Sequence, residues 1–313
     1  MRSKIAQSRF CLKSANVSVG ITKRMKLMKH PKPFLRRDLN SVTGMGLPDW
    51  SAGPKGDFGA IIEAAKTAGY AGVQHYFPEH VLAAGLKATG MGRVLTPENA
   101  ASIARQHHEL GLDATTLHVG TGLETDLEMD RLVGAVLEAS AQHDYPLYIE
   151  THRATITQDI RRTVDMVGRF PEVRFNADLS HYYCGHEMTY GDIEAKFDFL
   201  MPIFERVRFL HGRIADACHA QVSIAPGDQR PFVVHFREMW RRCFTAFKAA
   251  SDHKNVLIFA IELLPYKVPF GGQTHWLYYA HQAQSDGTGG DAYDRWTQAD
   301  LLWQIASEEF EAA

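Results

Sequence analysis

The chain contains no run of eighteen or more apolar residues, so nothing in it reads as a transmembrane helix. Its four cysteines, Cys11, Cys184, Cys218 and Cys243, form no CxxC pair. That argues against a disulfide framework and a cysteine zinc site, and it fits a reducing cytosol. No GxGxxG follows the first predicted strand and no Walker-type GxxxxGK sequence occurs, so nucleotide-binding open sheets lose their usual signatures. Acidic residues are missing from 1–37, a segment with eleven Lys or Arg; removing those eleven from the 34 basic residues leaves 23 against 36 acidic ones. Duplex binding favours a basic face, so this acidic body predicts no nucleic-acid partner. The basic segment 1–37 also lacks the apolar stretch of a secretory signal. It reads as a flexible tail or as sequence ahead of a later start at Met25 or Met28, in preference to an organellar address. The remainder, 38–313, is expected to be one cytoplasmic domain without membrane contact, able to form a homo-oligomer.

What is present is a regular alternation of short apolar runs with amphipathic stretches. Strands are predicted at Leu39–Thr43, Gly72–Tyr76, Leu112–Gly120, Tyr145–Thr151, Val173–Leu179, Val207–Ile214 and Val256–Leu263. Helices are predicted at Phe58–Ala68, Thr96–Leu110, Met129–His143, Asp159–Arg169, Asp192–Glu205, Arg237–Ala250 and Gln298–Phe310. Thr96 followed by Pro97 marks a helix start and Gly111 a stop. Strands separated by helices of this length pair in parallel through right-handed crossovers. The expected fold class is α/β, a (β/α)8 barrel with one irregular strand, sought in Asn16–Ile21 or in the loop-rich region 217–234. Long connections at 77–95 and 215–235 are expected to wall a site.

Four of the strands end in the same way. Tyr-Pro-Leu-Tyr-Ile-Glu stops at Glu150, Val-Arg-Phe-Asn-Ala-Asp at Asp178, Val-Arg-Phe-Leu-His at His211, and Val-Leu-Ile-Phe-Ala-Ile-Glu at Glu262. Parallel barrel strands point their C-terminal ends at one face, where active sites are built. The four side chains therefore converge, and clustered carboxylates beside an apolar core need a cation. Three carboxylates and an imidazole suit one divalent metal ion, Mn²⁺ first, with Mg²⁺, Co²⁺ or Zn²⁺ as alternatives. His118 ends the third predicted strand and is expected to face the mouth, and His152 and Arg153 directly follow Glu150; these three are candidate substrate contacts. His186, His219 and His235 read as solvated, and Tyr182 and Tyr183 as core.

The ordered series of Glu150, Asp178-Leu-Ser-His181, His211 and Ile-Glu262-Leu resembles the xylose isomerase-like barrel superfamily over roughly residues 38–312. That group includes sugar-phosphate isomerases and epimerases, ketose 3-epimerases, inosose dehydratases and the endonuclease IV enzymes. The resemblance implies that Glu150, Asp178, His211 and Glu262 are metal ligands and that His181 touches substrate. Arg213 stands two residues beyond His211, closer than the arginine that ketose epimerases place several residues on; it is a further candidate for substrate binding. Many members have Glu at the end of the second strand, where this chain has Gln74. The implied activity is isomerisation or epimerisation of a sugar, sugar phosphate or keto-polyol by proton transfer through a metal-bound enediolate, with Glu150 and Glu262 as the catalytic pair. Dehydration or elimination from a 3-keto-glycoside is the alternative outcome, with a nuclease or a non-catalytic binder behind it.

Overall fold

Alternation within the strands decides what faces the barrel interior. In the computed structural model, residues 32–75, 77–250, 255–270, 272–276 and 290–313 are described, with backbone alone at 268–270 and 276. Eight parallel strands close into a barrel in sequence order: β1 (Phe34–Asn40), β2 (Gly72–Gln74), β3 (Lys87–Val94), β4 (Thr115–Val119), β5 (Leu147–Glu150), β6 (Phe175–Ala177), β7 (Val207–Gly212) and β8 (Val256–Ile261). Closure comes from β1 pairing with β8, from Phe34 opposite Val256 to Leu39 opposite Ile261. Phe209, Ile258 and Ala260 pack with Tyr148 as a small cluster apart from the main core. They stand two residues, or four for Ile258, before His211, Glu262 and Glu150, so the period-two repeat carries those three polar groups inward as well.

The helices are α1 (Phe58–Thr67), α2 (Pro78–Ala83), α3 (Pro97–Glu109), α4 (Asp126–His143), α5 (Ile160–Arg169), α6 (Leu179–Gly185), α7 (Ile193–Phe204), α8 (Pro231–Ala249) and α9 (Arg295–Ala312). All seven helices expected from the sequence are present. Their starts follow cap chemistry: Asp57 accepts the Ala60 N–H, Asp159 the Arg162 N–H, and the Asn99 side chain the Thr96 N–H beside Pro97. Gly111 ends α3 at φ +75°, as expected of a glycine stop. The main core lies between strands and helices, with Trp240 of α8 fully buried against Phe259 of β8 at 5.1 Å between ring centroids. Tyr182 and Tyr183 are buried in it. None of the described helices is long and apolar enough to cross a membrane.

Three differences from the sequence reading have physical reasons. The eighth strand is β3, inside the connection taken as a long loop at 77–95. Its sequence, Lys-Ala-Thr-Gly-Met-Gly-Arg-Val, has two glycines and little β-branched character. Those glycines let α3 approach: a Cβ at Gly90 would lie 2.5 Å from His107 Nδ1, and one at Gly92 would lie 2.9 Å from Ile103 Cδ1. Region 217–234 forms no strand of the barrel, and Asn16–Ile21 lies outside the described residues. Finally, β1 starts at Phe34, so residues 34–37 belong to the barrel despite their basic character. Arg36 is bound into an ion pair with Asp38, and Arg37 packs over Tyr70 at 4.1 Å. The basic segment up to residue 31 lies outside the described residues.

Gly90→Ala should force its Cβ onto His107 and Thr115, at a cost of about 1–3 kcal/mol. Urea denaturation of the purified variant measures this, and an unchanged midpoint would contradict the close packing of β3 under α3.

Candidate metal centre

The centre is built on His211, which is buried in the barrel mouth. Its Nε2 donates to Gln74 Oε1 at 2.8 Å, which leaves Nδ1 as the nitrogen facing the acids. That nitrogen lies 3.4 Å from Glu262 Oε2, 3.7 Å from Asp178 Oδ2 and 3.8 Å from Glu150 Oε1. The four residues singled out at strand ends thus meet, although they come from β5, the turn after β6, β7, and the turn after β8. Asp178 also caps the short helix α6, taking the Ser180 N–H at 3.1 Å and the Ser180 hydroxyl at 2.5 Å.

A ring of amides orients this set. Gln74 Oε1 also accepts from Asn40 Nδ2 at 2.9 Å, and Gln74 Nε2 donates to Thr116 Oγ1 at 2.8 Å. Asn40 Nδ2 reaches Glu262 Oε1 at 2.8 Å, and Asn176 Nδ2 reaches Glu150 Oε2 at 3.0 Å. The glutamine at position 74 therefore has a definite role: it accepts from the histidine and so fixes which ring nitrogen faces the acids. Asn40 and Asn176 were missed in the sequence, where the search was for charged strand ends. Their positions at the end of β1 and two residues before Asp178 are the signal that could have found them.

The other predicted site residues divide into two groups. His118 Nε2 lies 3.2 Å from Glu150 Oε1, and the rings of His118, His152 and His181 follow one another at centroid spacings of 4.2 and 4.0 Å. Arg153 is exposed at the edge of this row. Arg213, the further candidate for substrate binding, is 1% exposed, pairs with Asp178, lies 3.3 Å from Glu262 Oε2, and donates from Nε to Ser180 Oγ at 3.0 Å. It lies inside the protein, bridging two of the acids. His186 is exposed, as expected.

Electrostatics follow from this crowding. Burial alone would lower the pKa of His211, but Glu262, Glu150 and Asp178 together raise it to about 9. Burial raises that of Glu262, and His211 and Arg213 only partly offset the rise. For Glu150 burial is outweighed by His118 and His211, and for Asp178 by Arg213 and His181, so both are held below the usual carboxylate range. Burial lowers His152 to about 4 and keeps it neutral.

The donor set fits a divalent cation. Glu150, Asp178 and Glu262 bring three negative charges and Arg213 one positive charge, a buried balance of −2 when His211 is neutral. In addition, Asn176 Oδ1 and His181 Nδ1 are buried without a hydrogen-bond partner among the described residues. Side-chain atoms able to share one ion are grouped as Asp178, His211 and Glu262, as Glu150, Asp178 and His181, and as His118, Glu150 and His152, each set lying within 4.8 Å.

Comparison with solved structures supports the fold. A xylose isomerase-like TIM barrel protein from Mycobacterium smegmatis, solved in complex with magnesium, is 11% identical with a TM-score of 0.51, covering 90% of this chain and 98% of its own. The probable 3-DHS dehydratase AsbF from Bacillus anthracis is 14% identical with a TM-score of 0.48, over 73% of this chain and 92% of its own. Endonuclease IV from Thermus thermophilus is 12% identical with a TM-score of 0.46, over 90% of this chain and 100% of its own. The likeness to the Mycobacterium smegmatis protein is one of architecture, the TIM barrel fold that the closed ring of eight parallel strands itself shows. No protein-family model matches the chain, and no curated protein matches it.

Because the folded pKa of His211 is raised, its protonated ring stabilises the metal-free fold fully below the reference value of 6.5, and that stabilisation is lost as pH rises through about 9. A metal must displace this proton. Calorimetric titration of Mn²⁺ at about pH 7.5, in buffers of differing ionisation enthalpy, should show about one proton released per ion. Release should fade as the pH passes 9, and binding without proton release at neutral pH would contradict the assignment.

Proposed function

We propose that the protein is a divalent-metal-dependent isomerase or epimerase acting on a sugar, sugar phosphate or keto-polyol. The observation that carries this reading is the meeting of three carboxylates around Nδ1 of His211 at the mouth of the barrel. Glu150, Asp178, His211 and Glu262 would hold the ion, and Mn²⁺ suits the mixed oxygen and nitrogen set. When bound, such an ion polarises a carbonyl and its neighbouring hydroxyl, which makes the adjoining C–H acidic.

The chain's own residues supply the proton transfer. Glu150 and Glu262 reach the centre from β5 and β8, with β6 and β7 between them, so they approach a bound substrate from different sides. One removes the proton and the other returns it, to the same carbon for epimerisation or to its neighbour for isomerisation. His118, one quarter exposed and hydrogen-bonded to Glu150, links that carboxylate to solvent. The row of His118, His152 and His181 offers ring nitrogens to substrate hydroxyls. Arg213 holds Asp178 and Glu262 in position.

The test is incubation of the metal-loaded protein with ketoses, inososes and 3-keto-glycosides in D₂O. Deuterium should enter the carbon beside the carbonyl without loss of water or aglycone, and chelation of the metal should stop the exchange. Glu150→Gln and Glu262→Gln should each slow it by about 10²–10⁴-fold. Loss of water or aglycone would instead identify a lyase using the same proton abstraction. Absence of both exchange and elimination across the panel would contradict the enzymatic reading.

A further inference from the structure

The inner face of β3 carries a cation that the proton transfer above does not use. From Gly90 opposite Thr115 to Val94 opposite Val119, this strand pairs with β4 without a break in register. Its alternation is fixed at two points: a Cβ on Gly90 would meet His107, and one on Gly92 would meet Ile103, both on α3. Residues 90 and 92 therefore face the helices, and Met91 and Arg93 face the barrel interior. Arg93 is the last inward position of the strand and is exposed, so it stands in the open mouth.

Its neighbours put it beside the centre. Arg93 is opposite His118 on β4, and the His118 ring lies 3.2 Å from Glu150 Oε1 on β5. The three residues thus follow one another on adjacent strands. At His118, burial and the charge of Arg93 both oppose protonation, so the guanidinium is close enough to act on that ring. Two strand spacings of about 4.8 Å separate the main chains of Arg93 and Glu150, a gap that a small substrate spans.

Unlike Arg213, which holds Asp178 and Glu262, and Arg36, which holds Asp38 and Asp113, Arg93 has no acid. Among the described residues no ion pair or hydrogen bond engages its guanidinium, and the Glu150 carboxylate is taken by His118 and Asn176. A guanidinium in that state offers a planar fork of donors that matches the oxygens of a phosphate or carboxylate. The three acids repel an anionic group at the centre itself, so such a group gains at Arg93, on the far side of His118.

We infer that Arg93 sets the substrate class: it binds an anionic group, a phosphate ester or a carboxylate, borne by the carbohydrate that reacts at the carboxylate centre. The substrate is then a ketose phosphate or a keto-sugar acid in preference to a neutral ketose. This inference rests on the carbohydrate reading above and narrows it.

Calorimetric titration of the Mn²⁺-loaded protein with matched ligands tests it. The pairs are D-fructose against D-fructose 6-phosphate, D-ribulose against D-ribulose 5-phosphate, and D-fructose against D-fructuronate; the last tells a carboxylate site from a phosphate site. At least one anionic member should bind tenfold or more tightly than its neutral partner. Arg93→Gln should bring that preference to within twofold, and Arg93→Lys, which keeps the charge, should retain a preference of threefold or more. Arg93→Gln should still take up Mn²⁺, because the guanidinium is bonded to none of the four residues that would hold the ion. Anionic members that bind no better than their partners, or a preference that survives Arg93→Gln, would overturn the assignment. Loss of Mn²⁺ uptake in Arg93→Gln would mark the residue as structural and overturn it as well. Failure of the unaltered protein to take up Mn²⁺ would count against the proposed function itself, whereas uptake without an anionic preference counts against the role of Arg93 alone.

Discussion

Three carboxylates enclosed around one imidazole nitrogen impose the constraint on which the rest of the mouth depends. Like charges this close, buried under a closed ring of strands, repel strongly and cannot all stay ionised without a cation among them. The opposite part of the barrel interior shows how the same chain handles a buried acid that has no such task. Asp38 of β1 receives two hydrogen bonds from Arg36, at 2.8 and 2.7 Å, and the same guanidinium pairs with Asp113, where Lys87 adds a second positive charge 3.6 Å away, so two permanent cations match two acids. At the mouth, Arg213 is shared between Asp178 and Glu262, Glu150 has His118 and His211, and the acids still outnumber the permanent cations by two. That local excess of acid distinguishes a site from a structural ion pair.

The barrel makes this arrangement from ordinary strand geometry. Side chains two residues apart share a face, so each strand that packs the interior with an apolar residue presents the next inward position at the mouth. On β8 the sequence of inward positions runs Ile258, Ala260, Glu262, and on β7 it runs Phe209, His211, with Arg213 beyond the end of the strand. Neutral amides occupy the corresponding places on β1, β2 and β6. Asn40, Gln74 and Asn176 donate to the acids or accept from His211, and so aim the charged groups without adding to the negative charge.

Much of this was legible in the sequence because it rests on period and position. Four apolar runs that end in Glu150, Asp178, His211 and Glu262 required only a parallel barrel to be brought together. The strand β3 was not legible: Gly90 and Gly92 lower its strand character, and their purpose, close approach of α3, involves His107 and Ile103 that lie further along the chain. The pairing of Arg213 with two acids was equally hidden, because its place two residues beyond His211 does not disclose which carboxylates it reaches. Nor did the spacing of the histidines disclose that His118, His152 and His181 form a row, since that depends on how the turns after β5 and β6 bend.

The central claim concerns one ion and four side chains, and diffraction from crystals grown with Mn²⁺, recorded for its anomalous signal, tests it most directly. The account predicts a single strong peak within coordinating distance of His211 Nδ1 and of oxygens from Glu150, Asp178 and Glu262. A map with no peak there, or with Mn²⁺ bound elsewhere while Arg213 and a protonated His211 satisfy the three acids, would contradict it.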